Sequence, residues 1–166
     1  MLSLFALAWA FAGASGTGPA TDMVPVAVEA AALAITAVAL YLGLRKDARP
    51  SPRTVDLPAN WARGVGIVNG VELLAVVAVI AAANSSGRPA YIPAGIALVV
   101  GLHFFPLARL YDQWQYRWTG ALMTVVAVVG AVLVLAGASA GTVRVVVGLA
   151  CAAVLWVSAC HLAVRG

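Results

Sequence analysis

Residues 61–110 read WARGVGIVNGVELLAVVAVIAAANSSGRPAYIPAGIALVVGLHFFPLARL, and the fold turns on this stretch. Two apolar runs, 62–83 and 90–110, flank the polar segment Asn84-Ser85-Ser86-Gly87-Arg88-Pro89. Each run supplies roughly the 20 apolar residues that a helix needs to cross a bilayer. The Ser, Gly and Pro between them are turn punctuation. So short a connection predicts an antiparallel hairpin of two spanning helices with Gly87 at its pivot. Glu72 stands fifteen residues before Gly87 and His103 sixteen after it, which puts the two side chains at one depth. At about 1.5 Å per residue that depth is close to the bilayer centre. The same pivot sets Asn69 level with Pro106, and Arg63 level with Asp112.

Outward from the hairpin, three more runs have spanning length: 24–44, 119–138 and 143–164. The N-terminal stretch 1–15 is shorter and is followed by Gly16-Thr17-Gly18-Pro19. It reads as a retained sixth helix. The alternative is the apolar core of a signal peptide, for which Ala12-Gly13-Ala14 would serve as the small-residue cleavage site. The expected fold is an all-α polytopic bundle of six transmembrane helices, five if residues 1–15 do not span, in one integral membrane domain over 1–166. The Tyr111–Trp118 segment reads as a loop in the headgroup layer, and the proline-bearing stretch 45–61 as irregular.

Composition agrees. Of 166 residues, 63% are hydrophobic and 10% charged, and mean hydropathy is +1.00. A soluble domain carries about 25% charged residues, and no soluble core of this size could hide so much apolar side chain. Soluble enzymes, nucleic-acid modules, disulfide scaffolds and disordered chains are excluded. The net charge of +4 comes from ten basic residues scattered between the apolar runs, so it does not mark a nucleic-acid face. Arg45, Lys46, Arg49, Arg53, Arg63, Arg109, Arg117 and Arg165 fall on one side of the expected topology, and Arg88 and Arg144 on the other. Basic residues collect on the cytoplasmic side, so the C-terminus is expected there. Tyr41, Trp61, Tyr111, Trp114, Tyr116 and Trp118 fall at the same boundary, where amphipathic rings anchor helices. The Ala/Val/Gly/Arg bias points to a GC-rich bacterial genome, hence a bacterial plasma membrane.

Polar residues at membrane depth are costly and therefore informative. Glu72, Asn69 and His103 are expected to cluster with the Leu102 carbonyl, which Pro106 frees because it has no N–H to donate. Pro106 is also the expected helix kink. Gly66 and Gly70 form a GxxxG spacing that would let the partner helix come close. A Glu–His pair at mid-membrane suits a proton relay, and equally a structural lock on the hairpin. Glu29, near the outer end of run 24–44, either faces the interface or marks the outer mouth of a pathway. Arg63 and Asp112 are expected as a structural pair at the inner boundary. Gly148 and Ala152 read as packing surface facing Gly130 and Ala131.

Cys151 and Cys160 are nine residues apart in one run, on opposite faces of a helix, so they cannot bridge. His161 beside Cys160 makes a poor metal site, since adjacent helical residues diverge by about 100°. No nucleotide, zinc-protease or nucleophile-elbow motif is present. No metal or cofactor is expected.

The element Gly101-Leu102-His103-Phe104-Phe105-Pro106-Leu107-Ala108-Arg109-Leu110, preceded by Tyr91-Ile92-Pro93, resembles the signature of a family of uncharacterised small bacterial polytopic membrane proteins. The resemblance spans about 61–138 and implies no activity. Function is left between two classes. One is a small transporter or channel-like protein, proton-coupled through Glu72 and His103. The other is a non-transporting membrane subunit or scaffold whose polar cluster is structural. An intramembrane enzyme acting on lipid fits less well, because no nucleophile–base or paired-carboxylate constellation appears. Expected partners are the lipid bilayer and another copy of the chain or another membrane protein, with no nucleic acid.

Overall fold

The computed structural model describes residues 2–19, 22–47 and 60–165. Six α-helices follow one another: α1 (Leu2–Ala14), α2 (Met23–Asp47), α3 (Trp61–Ser85), α4 (Ile92–Leu110), α5 (Gln115–Leu135) and α6 (Ala140–Arg165). A 3₁₀ turn, Pro89–Tyr91, leads into α4. Among the described residues there is no strand. The fold is an all-α helical bundle, and five of its helices are long and apolar enough to cross a membrane. α1 has 13 residues, about 20 Å at the helical rise, against a hydrocarbon core of about 30 Å. Arg49, Arg53 and most of the expected irregular loop lie outside the described residues. Residues 45–47, read as the start of that loop, instead continue α2.

The chain divides into two compact units. One holds α1, α2 and α6 from Arg144 onward, and the other holds α3, α4 and α5.

In the first unit small residues make the contacts. Ala6, Ala10 and Ala14 on α1 are fully buried, four residues apart on one face. A Cβ on Gly148 would stand 2.6 Å from the Gly13 Cα and 2.8 Å from the Trp9 carbonyl oxygen, so α1 and α6 touch backbone to backbone. Small residues permit such approach where no hydrophobic driving force between helices exists. Gly148 therefore meets α1. Ala10, Ala32 and Ala152 form a core with Leu7, Trp9 and Trp156 around it. The Trp156 indole N–H donates to the Thr36 hydroxyl at 3.1 Å, which ties α6 to α2.

In the second unit α4 packs on both α3 and α5. Its buried residues Ala94, Ala97, Gly101, Phe104 and Ala108 alternate three and four apart, a coiled-coil seam. Gly120, Met123, Ala127 and Gly130 give α5 the matching spacing. At the crossing, a Cβ on Gly120 would lie 2.7 Å from the Gly101 carbonyl oxygen.

Each of these helices ends at one left-handed residue. Gly87, Asp112 and Gly137 have φ of 68°, 48° and 82°. In each case the next amide bonds back five residues: Arg88 to Ala83, Gln113 to Ala108, and Ala138 to Leu133. These are Schellman stops, and Asp112 takes a place usually held by glycine. Because Asp112 closes α4 in a single turn, α5 begins at Gln115. The second half of the Tyr111–Trp118 segment is thus helix, which confines the expected loop to 111–114: nothing in Gln-Tyr-Arg-Trp breaks a helix.

Candidate functional site

The α3–α4 hairpin pivots on Gly87. Val79 and Gly95, eight residues to either side, are in contact: a Cβ on Gly95 would meet the Val79 side chain at 2.5 Å. Gly64 and Leu110, twenty-three to either side, are in contact as well. Trp61 and Tyr111 close the far end with ring centroids 5.4 Å apart. Between these levels Glu72 faces His103.

His103 Nδ1 lies 3.4 Å from Glu72 Oε2. The His103 side chain is 9% exposed and that of Glu72 21%. Glu72 is the twelfth of the 25 residues of α3, well away from either end. The separation suits an ion pair, but Nδ1 makes no aligned hydrogen bond, because the distance is long and the ring is off-line. The ring also lies beside the Val68 backbone, one turn before Glu72. Nδ1 faces the carboxyl group. A single proton between Nδ1 and Oε2 serves the pair either as carboxylic acid with imidazole or as carboxylate with imidazolium. Both forms have no net charge, which the apolar interior favours.

The structure brings fewer residues to this site than the sequence suggested. Asn69 is exposed and has no hydrogen bond among the described residues, so it does not join the pair. Gly66 and Gly70 face open space, with nothing within 4 Å of an added Cβ. Gly70 and Glu72 are two residues, about 200°, apart on α3, so they occupy opposite faces. The close approach to α4 is made instead by Gly64 and Gly95. Pro106 is exposed and α4 continues through it. The His103 ring turns to α3, where it meets Glu72 beside the Val68 backbone.

Arg63 and Asp112 form no ion pair among the described residues, and both are exposed. Asp112 sits past the end of α4 in the left-handed turn, while the Trp61 and Tyr111 rings fill the space between the helix ends. Glu29, half-buried on α2, belongs to the other unit and has no ion pair among the described residues. Among the described residues no three His, Cys, Asp or Glu side chains gather as a metal would require. Cys151 and Cys160 are free thiols.

Sequence reasoning missed the ring chain beside the pair. Trp61 packs on Tyr111, Tyr111 on Tyr116 at 5.8 Å, and Tyr116 on Phe104 at 5.8 Å, next to His103. The signal was present: Phe104 lies three residues from Gly101 and four from Ala108, on the α5-facing seam. Val68 was also missed, although it is one helical turn from Glu72 and so shares its face.

No curated protein matches this chain. No solved structure matches it either. A family model does match residues 64–165, from the first turn of α3 to the end of α6, including both Glu72 and His103. That match covers more than half of the chain, and the protein belongs to the family of unknown function DUF7010.

Proposed function

We propose that this membrane protein carries protons, as a small proton-coupled transporter or channel-like protein, with Glu72 and His103 as the groups that take and release them. The observation behind this reading is the 3.4 Å approach of His103 Nδ1 to Glu72 Oε2 across two spanning helices. Adding or removing one proton gives the pair a unit charge, which an apolar interior disfavours unless a compensating ion or a conformational change accompanies it. That cost is what couples protonation to a second event. The exposed fraction of Glu72, 21%, leaves the carboxyl group approachable. The protein is set in a bacterial plasma membrane with its C-terminus in the cytoplasm, on the support of the eight-to-two split of basic residues.

A second reading has its own observation. Approach to both Glu72 and the Val68 backbone makes His103 a two-point clamp on α3, as a scaffold or non-transporting subunit would use it. Proteoliposomes with a trapped pH dye and a valinomycin-clamped potassium gradient separate the two. The proton reading expects faster proton entry than in empty vesicles, lost in Glu72→Gln and in His103→Gln and kept in His161→Gln. Flux equal to empty vesicles for wild type, with Glu72→Gln reducing only thermal stability, would overturn it in favour of the clamp.

A further inference from the structure

At the Trp61 end of the second unit the start of α3, the end of α4 and the start of α5 meet through the Trp61–Tyr111–Tyr116 rings. Three arginines surround that knot: Arg63 two residues after Trp61, Arg109 two before Tyr111, and Arg117 next to Tyr116. All three are exposed, and none has an ion pair among the described residues. Among the described residues Asp112 is the one carboxylate beside them, and it too is exposed and without an ion pair. The described residues of this end therefore present three guanidinium groups against one carboxylate.

Two further observations characterise it. Trp114 and Trp118 are each 60% exposed and stack edge to face at 6.2 Å. They begin the outward face of α5, which continues through Leu122, Val125, Val129 and Val132, all exposed. An apolar stripe that ends in paired tryptophans marks the depth where acyl chain gives way to headgroup. At the same end the Trp61 indole N–H and the Gln113 carbonyl oxygen are buried without a hydrogen-bond partner. Such groups cost free energy until they are served: the indole N–H by a phosphate or ester oxygen, and the Gln113 side-chain oxygen by a donor such as a glycerol hydroxyl.

We propose that this end of the second unit is a binding site for the phosphate headgroup of an anionic phospholipid, held by Arg63, Arg109 and Arg117 while Trp114 and Trp118 pack on its glycerol and upper acyl chain. Guanidinium forks match phosphate oxygens in a bidentate way. A zwitterionic lipid brings its own ammonium and gains less. The inference is independent of the proton reading, because none of these five residues touches Glu72 or His103.

Native mass spectrometry of the full chain, released from detergent with equal phosphatidylglycerol and phosphatidylcholine of the same acyl chains, tests it. Wild type should retain phosphatidylglycerol in clear excess. Each of Arg63→Gln, Arg109→Gln and Arg117→Gln should weaken that retention about fivefold, the contribution of one basic residue near an anionic surface. The triple variant should bind both lipids equally, and Arg88→Gln, at the hairpin's turn, should match wild type. These are exposed side chains, and circular dichroism of each variant confirms helix content. No preference in wild type, or a preference that survives the triple variant, would overturn the site. Displacement of the lipid by millimolar inorganic phosphate would show a free-anion site and overturn the assignment to a headgroup.

Discussion

Replacing Gly120 by alanine should separate α4 from α5, whereas replacing Gly70 should not disturb the protein. An alanine Cβ at 120 would stand 2.7 Å from the Gly101 carbonyl oxygen and 3.1 Å from the Phe104 Cβ. Neither atom is the end of a flexible side chain, so relief requires the helices to move apart. Over-packing of this kind costs about 1–3 kcal/mol. The upper half of that range is expected here, because backbone meets backbone and Met123 and Ala127 beside the crossing would lose contact as the gap opens. At Gly70 nothing lies within 4 Å of the new methyl, and alanine in a helix interior is preferred to glycine by about 0.5–1 kcal/mol. The two variants should differ by about 2.5–4 kcal/mol in opposite senses. Reversible unfolding of the purified chain in mixed micelles, followed by circular dichroism, measures both. Equal losses at Gly70 and Gly120 would refute the reasoning, since the α3 glycine face would then be in close contact too.

Trp156→Phe should cost about 1 kcal/mol through the lost hydrogen bond to the buried Thr36 hydroxyl. Thr36→Val should cost a similar amount, and the double variant less than the sum, in the same unfolding assay. Asp112→Gly should leave stability unchanged or raise it by up to about 1 kcal/mol, because the residue holds a φ of 48° and has no ion pair to lose. A clear loss would mean that Asp112 has a partner after all. In a Cys151→Ala, Cys160→Ala background, a cysteine at Ser86 should react with an impermeant maleimide in intact cells while one at Arg117 is protected. The reverse pattern would invert the proposed orientation.

What the sequence made legible was whatever local chemistry settles. Gly87 stops a helix because it takes a positive φ, and the Gly87 pivot brought Glu72 level with His103 because two straight helices advance at one rise per residue. Depth, however, is only half of a contact. Arg63 and Asp112 are also level, yet they do not pair, since Asp112 has already left the helix. Asn69 is about 60° from Glu72 around α3, enough to put it outside the interface. The Gly66–Gly70 error was avoidable: counting about 100° per residue from Glu72 puts both glycines on the far face. The Gly13–Gly148 contact was not readable, because alanine and glycine are so frequent here that no pair of them stands out. Nor could the sequence show that the His103 ring would lie beside the Val68 backbone, because that depends on how α3 and α4 are rotated against each other.

Solid-state NMR dipolar recoupling in lipid bilayers, between a ¹³C-labelled Glu72 carboxyl and the ¹⁵N-labelled imidazole of His103, tests the pair most directly. His161→Gln removes the chain's other histidine, so the nitrogen signal is His103 alone. A coupling of direct contact is predicted, matching the 3.4 Å between Nδ1 and Oε2, together with a ¹⁵N shift of Nδ1 that changes in Glu72→Gln. Absence of coupling, with the groups beyond about 6 Å, would contradict the pair and the proton reading built on it.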